Sequence, residues 1–152
     1  MTTTEIATTE IATTEVLTVA ACWHLLRESV VGRLAVTVDG QPDIFPVNHV
    51  VDHGSIVFRT GAGTKLAASI RRGVAFEVDG YDTSDATAWS VVVRGVGHDI
   101  WEKDESIHAL ALPLLPWHEG SKPRFVRIEP TSVTGRRLHV VGGFTRDCGQ
   151  AQ

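Results

Sequence analysis

Cysteine is almost absent from this sequence. The chain of 152 residues holds two, Cys22 and Cys148, near opposite ends and without a CxxC pairing. That spacing excludes a disulfide framework and a zinc knuckle, and it fits a reducing compartment. Long apolar runs are missing too: nothing approaches the roughly 20 residues of a membrane span, and the N-terminus lacks the basic-then-apolar order of an export signal. The sequence therefore reads as soluble, unexported and cytoplasmic, with no membrane partner. Basic residues number 14 against 18 acidic and are scattered along the chain. No stripe exists on which a nucleic-acid backbone would lie, so nucleic acid is excluded as the main partner. There is no GxSxG elbow for a serine nucleophile and no Walker loop.

What is present begins with a repeat. Residues 1–17 contain TTEIA, TTEIA and TTEVL in succession. A period of five matches neither helix nor strand, and the segment is acidic and poor in large apolar residues, so it is read as a disordered leader. Residues 18–139 are read as the folded domain and residues 140–152, rich in glycine and polar groups, as a flexible tail. One domain of this length buries roughly two-thirds of the surface exposed by its unfolded chain.

Within the domain, Val19, Cys22, Trp23 and Leu26 fall on one face of a short helix that ends near Glu28 or Ser29. Arg33 to Val38 alternates strictly, Asp39-Gly40 supplies a hairpin turn, and Asp43 to Val51 returns with Phe45, Val47, His49 and Val51 on a common side. Asp52-His53-Gly54 turns into a further strand. Val74, Phe76 and Val78 mark another, and Trp89, Val91 and Val93 a long one that Gly95 and Gly97 permit to bend. Ile107, Leu110 and Ala111 are in register for another short helix over 104–112, stopped by Pro113. Phe125 to Ile128 and Ser132 to Leu138 read as two strands hinged at Glu129-Pro130. The expected class is α+β, mainly β: an antiparallel barrel with three short helices.

The stretch Ile56 to Gly73, IVFRTGAGTKLAASIRRG, is the most informative. An alternating strand breaks at Gly61 and Gly63 and restarts as a helix with Thr64 as N-cap, while Arg71, Arg72 and Gly73 close it. The first amides of a helix lack internal partners and lie at the positive end of its dipole, so with Arg59 and Lys65 nearby the junction suits a phosphate. An ordinary strand-to-helix connection with solvated basic neighbours is the alternative. Leu66 stands where a GxGxxG fingerprint would need its third glycine.

Taken in order, Cys22-Trp23-His24-Leu25-Leu26, Gly32-Arg33-Leu34-Ala35-Val36, Phe45-Pro46-Val47-Asn48, Phe58-Arg59-Thr60-Gly61 with Thr64-Lys65-Leu66, Trp89 to Gly95, and Val126-Arg127-Ile128-Glu129-Pro130 resemble the flavin-binding split-barrel proteins of the pyridoxamine 5'-phosphate oxidase-like family, especially its small actinobacterial-type members. The resemblance covers about Thr18 to Leu138. It implies an FMN-binding split β-barrel that works as a homodimer, an oxidoreductase whose chemistry is carried by FMN, or alternatively a non-catalytic carrier of flavin, deazaflavin or haem. By the same resemblance Arg59, Thr60, Thr64 and Lys65 hold the phosphate, Pro46, Val47 and Asn48 run beside the flavin ring, and Trp89 and Ser90 reach over from the partner subunit. A tryptophan belonging to the core is the alternative for Trp89. The C-terminal substrate-phosphate motif of the vitamin-pathway oxidases has only a loose candidate in residues 117–124, so the substrate is left open and no catalytic residue is assigned.

Seven histidines keep haem ligation in view. His49 and His53, on a strand and its turn, do not share a face as metal ligands would, and both are read as surface residues with no metal site. Cys22, on the apolar helix face, is read as a buried inert thiol.

Overall fold

In the computed structural model, which describes residues 13–61, 63–100 and 124–140, the chain runs β1 (Thr13–Val16), α1 (Val19–Glu28), β2 (Val31–Val38), β3 (Gln41–Asp52), β4 (Ser55–Thr60), α2 (Thr64–Ser69), β5 (Gly73–Asp82), β6 (Thr87–Asp99) and β7 (Arg124–His139). The first two hairpins close through two-residue turns. Asp39 and Gly40 have φ of 49° and 74°, and His53 and Gly54 have φ of 47° and 69°. Positive φ at both positions is what a right-twisted hairpin demands, and it explains why a glycine follows each polar residue.

Alternation then sorts the side chains. Leu34 and Val36 of β2, Val47 of β3, Ile56 and Phe58 of β4, Val74, Phe76 and Val78 of β5, Val91 and Val93 of β6 and Val126 and Ile128 of β7 are buried in one cluster with Cys22 and Leu26 of α1. Burying each such aliphatic or aromatic side chain contributes about 1.5–3 kcal/mol. A second, smaller cluster of Val57, Ile100 and Phe125, with Val50 against it, lies on the other side of β3 and β4. Thr18 caps α1, its hydroxyl oxygen accepting from the Ala21 amide at 3.1 Å. Val19, expected on the buried stripe of α1, is 58 % exposed. Cys22 fits so closely over Gly135 that a Cβ there would lie 2.6 Å from its Sγ, and burial raises the thiol's pKa.

The expected antiparallel split β-barrel with three short helices is corrected. The strands form one seven-stranded antiparallel sheet in the order β1-β7-β4-β3-β2-β5-β6, with β6 also paired to β7, and the described residues hold two helices, α1 and α2. The two strands expected to hinge at Glu129-Pro130 are one strand of 16 residues. Thr131, skipped in the register between the Arg94–Ser132 and Gly95–Pro130 pairs, is an extra residue on β7 that takes up the change instead. The third helix, over 104–112, lies outside the described residues, as do residues 1–12 of the leader and 141–152 of the tail. Within the leader Thr13–Val16 is β1, hydrogen-bonded to β7, so the disorder expected through residue 17 does not extend that far. No helix among the described residues is long and apolar enough to cross a membrane.

Candidate functional site

The face of a residue follows from the cluster its neighbours join. Val47 and His49 of β3 are buried on the inner side, so Pro46, Asn48 and Val50 point outward, and Val50 indeed packs with the outer cluster. On β4, Phe58 belongs to the inner cluster and Val57 to the outer one. Arg59 therefore shares the outer face and Thr60 the inner. The β3–β4 register pairs His49 with Phe58, and one step further it sets Asn48 beside Arg59. Of the residues singled out in the sequence, Pro46, Asn48 and Arg59 thus come together on one face, whereas Val47 is core, 1 % exposed.

The electrostatics of this face favour one cation. Arg33, paired with Pro46 in the β2–β3 register, is already committed: its Nη1 donates to Glu77 at 3.0 Å and to Asp79 at 3.1 Å. Glu77 has its pKa raised, chiefly by burial and then by the Asp79 charge, with Arg33 opposing both. Arg59 is half-buried on the same face. Its guanidinium makes no hydrogen bond or ion pair among the described residues, which leaves it available to an anion. Thr60 donates to the Gly61 carbonyl at 3.3 Å. Thr64 and Lys65 begin α2, and their side chains lie outside the described residues. The α2 ends differ from expectation. Gly63 takes the cap position, its carbonyl accepting from Ala67 at 3.0 Å, and the left-handed residue after the helix is Arg71, with φ of 55°, rather than Gly73.

Trp89 and Ser90 occupy opposite faces of β6. Trp89 packs against the inner cluster, and its indole lies over Gly80, where a Cβ would meet it at 2.6 Å. Ser90 pairs with Asp79 on one side and Arg136 on the other. With Thr14, Tyr81 and Leu138 these residues line a cavity of roughly 430 Å3. Asn48 and Ser90 are three strand spacings apart, roughly 14 Å along the face. Arg136 was not anticipated, because in the sequence it is one of two adjacent arginines and only the register with Ser90 distinguishes them.

His49 corrects another expectation. It is buried, 4 % exposed. Its Nε2–H donates to the Leu26 carbonyl at 2.8 Å, one of the last carbonyls of α1 and hence without an intrahelical partner. The Nδ1 atom is buried and unpartnered among the described residues. Burial lowers the histidine pKa, against opposing backbone hydrogen bonds with Leu26 and Val30. A ring so engaged is a clasp between β3 and α1. No group of three or more metal-ligating side chains occurs among the described residues.

The outer face of this small antiparallel sheet thus carries a partly buried arginine with no partner among the described residues, the chemistry that suits an anionic group. Comparison with known proteins gives the family. Residues 18–137 match the family model described as pyridoxamine 5'-phosphate oxidase, and the chain belongs to this flavin-binding, pyridoxamine 5'-phosphate oxidase-like family. The structure of the FAD binding protein from Mycobacterium smegmatis is similar, with 40 % identity and a TM-score of 0.74 over 82 % of this chain and 98 % of that one. A conserved protein of unknown function, DIP1874, from Corynebacterium diphtheriae is 34 % identical with a TM-score of 0.71, over 84 % and 98 % of the two chains. The uncharacterized protein Rv0080 of Mycobacterium tuberculosis is 34 % identical over 113 residues, 70 % of this chain and 74 % of that one.

Proposed function

We propose that this protein binds a flavin nucleotide on the outer face of β3 and β4 and acts as a flavin-binding or carrier protein. The observation that carries the reading is Arg59, partly buried, beside Asn48 and without a hydrogen bond or ion pair among the described residues, while the neighbouring Arg33 is neutralised by Glu77 and Asp79. In this reading Arg59 takes the phosphate, with Thr60, Thr64 and Lys65 completing its surroundings. The backbone of Pro46, Val47 and Asn48 runs beside the ring, with the Val47 side chain in the core. Pro46 has no amide N–H, so that strand position donates no hydrogen bond to the sheet ladder. Ser90, three strands away on the same face, serves a second subunit's site more readily than its own. We therefore read the working unit as a homodimer, with Trp89 beneath the Ser90 strand as its packing support.

FMN and FAD share the phosphate that Arg59 would hold. FMN is the ligand that the family resemblance implies, and the relative from M. smegmatis is an FAD binding protein. Titrating purified protein with FMN, FAD and a deazaflavin, by flavin fluorescence and absorption, ranks the three. The reading fails if none binds at tens of micromolar.

A second reading, oxidoreductase, is favoured by the family model's name. When bound, a flavin supplies the hydride or electron transfer itself, and the protein contributes orientation and the field around the ring. Steady oxidation of a nicotinamide donor by the loaded protein would support turnover. A bound flavin that no donor reduces would leave the carrier reading alone.

A further inference from the structure

Among the described residues, every strand of the sheet except β1 has hydrogen-bonded neighbours on both sides. β1 is Thr13-Thr14-Glu15-Val16, the third copy of the N-terminal repeat, and it lies antiparallel on the β7 edge with Thr13 against His139, Thr14 against Leu138, Glu15 against Arg137 and Val16 against Arg136. Glu15 Oε2 is 3.7 Å from Arg137 and 3.9 Å from His139. All four residues are exposed, Val16 at 77 %. A strand exposed on both faces specifies its register weakly. What fixes it is the next residue. Leu17 is 7 % exposed within the inner core, and its amide donates to the Gly135 carbonyl at 3.0 Å.

A slip of one residue along such an edge would put every side chain on the wrong face. A slip of five here restores the same side chains. Thr8-Thr9-Glu10-Ile11 presents the same threonines and glutamate, with isoleucine for valine, and Thr3-Thr4-Glu5-Ile6 repeats them again at a slip of ten. The one position that differs in kind is the fifth, which is Ala7 and Ala12 in the earlier copies and Leu17 in the resident one. The earlier copies have no easy route onto the open side of β1. Residues 1–17 contain no glycine, proline, asparagine or aspartate, and a two-residue hairpin turn needs such residues.

We propose that the β7 edge at Arg136–His139 is a binding site for an extended Thr-Thr-Glu-aliphatic segment, and that the chain carries three ligands for it in its own N-terminal repeat. Thr13–Val16 holds the site in the ground state because Leu17 fills the core. When Thr8–Ile11 takes its place, Ala12 replaces Leu17 beside Cys22 and Gly135, and residues 13–17 become a loop ahead of α1. Leu-to-Ala truncation in a core disfavours that state by about thirtyfold to several thousandfold. Five extra loop residues add only a few-fold more. The proposal concerns the sheet edge, and its test reads disulfide closure rather than flavin binding.

Disulfide trapping in a Cys148→Ser chain tests it. Arg136→Cys is combined in turn with Val16→Cys, Ile11→Cys or the out-of-phase Glu10→Cys, and intrachain closure under mild oxidant is followed by mass spectrometry at low protein concentration. Val16→Cys should close fastest, and Ile11→Cys should close at least about thirtyfold more slowly yet faster than Glu10→Cys. Adding Ala12→Leu, which gives the second copy the missing anchor without opening a cavity, should bring the Ile11→Cys rate to within a few-fold of Val16→Cys. Equal rates for Ile11→Cys and Glu10→Cys, or an Ile11→Cys rate that ignores Ala12→Leu, would overturn the proposal.

Discussion

Arg127 ties β7 to the β3–β4 hairpin, and its removal gives a sharp test of how this fold is held. Its Nη2 donates to Asp52 Oδ2 at 3.0 Å, and Nη1 donates to Ser55 Oγ at 2.6 Å and to the Asp52 carbonyl at 3.2 Å. The two side chains are 15 % and 10 % exposed, so solvent screens the pair little. Arg127→Met keeps the aliphatic volume but leaves the Asp52 carboxylate largely buried, with His53 Nδ1 at 3.0 Å on its other oxygen. Breaking a buried pair by removing one partner costs about 3–5 kcal/mol. For a chain of this size that corresponds to a fall in Tm of roughly 6–20 °C. Calorimetry on Arg127→Met, Asp52→Asn and the double variant measures it. The double variant should be less destabilised than the sum of the singles by about 0.5–3 kcal/mol. A Tm loss under about 2 °C for Arg127→Met, or strict additivity, would refute the reasoning.

Two further outcomes follow from close approaches and burial. Gly97→Ala would place a methyl against the Ser69 carbonyl, whose carbon would be 2.9 Å away. At this point Arg71 N–H donates to the Gly97 carbonyl at 2.8 Å. The expected loss is about 1–3 kcal/mol by urea denaturation, and a loss under about 0.5 kcal/mol would show that α2 shifts freely. His49, whose folded pKa is lowered by burial, stays neutral in the fold while the unfolded ring takes a proton near pH 6.5. Its contribution is therefore fully present above about pH 6.5 and is lost as pH falls towards the folded value. His49→Gln should lower stability at pH 8 and flatten the acid side of the stability profile, and an unchanged slope would remove His49 as its cause.

Much of the fold was legible because the sequence repeats its instructions locally. Alternation plus Asp39-Gly40 and Asp52-His53-Gly54 defined β2, β3 and β4, and Val74, Phe76 and Val78 defined the buried face of β5. The strand β1 was hidden because threonine and glutamate exposed on both faces carry no apolar period, and only the β7 edge makes them a strand. The single course of β7 was hidden for the opposite reason: Pro130 signals a break, and only the pairing with β6 shows that one extra residue, Thr131, lets the strand run on through it. His49 looked like a surface residue because alternation gives a face but not the partner. The Leu26 carbonyl that accepts its hydrogen bond comes from α1. At the candidate site the sequence named Arg59 and Asn48. It did not show that Arg33 is neutralised or that Arg136 stands across from Ser90, since both depend on register between strands.

The central claim is that Arg59 on the outer face of β4 anchors the phosphate of a flavin nucleotide. Titrating native and Arg59→Ala protein with FMN, FAD and riboflavin, by quenching of flavin fluorescence, tests it most directly. Loss of a charge-assisted hydrogen bond of about 1.5–3 kcal/mol should weaken FMN and FAD by roughly ten- to a hundredfold, while riboflavin, which has no phosphate, should change little. Equal weakening of all three ligands, or none, would contradict the account.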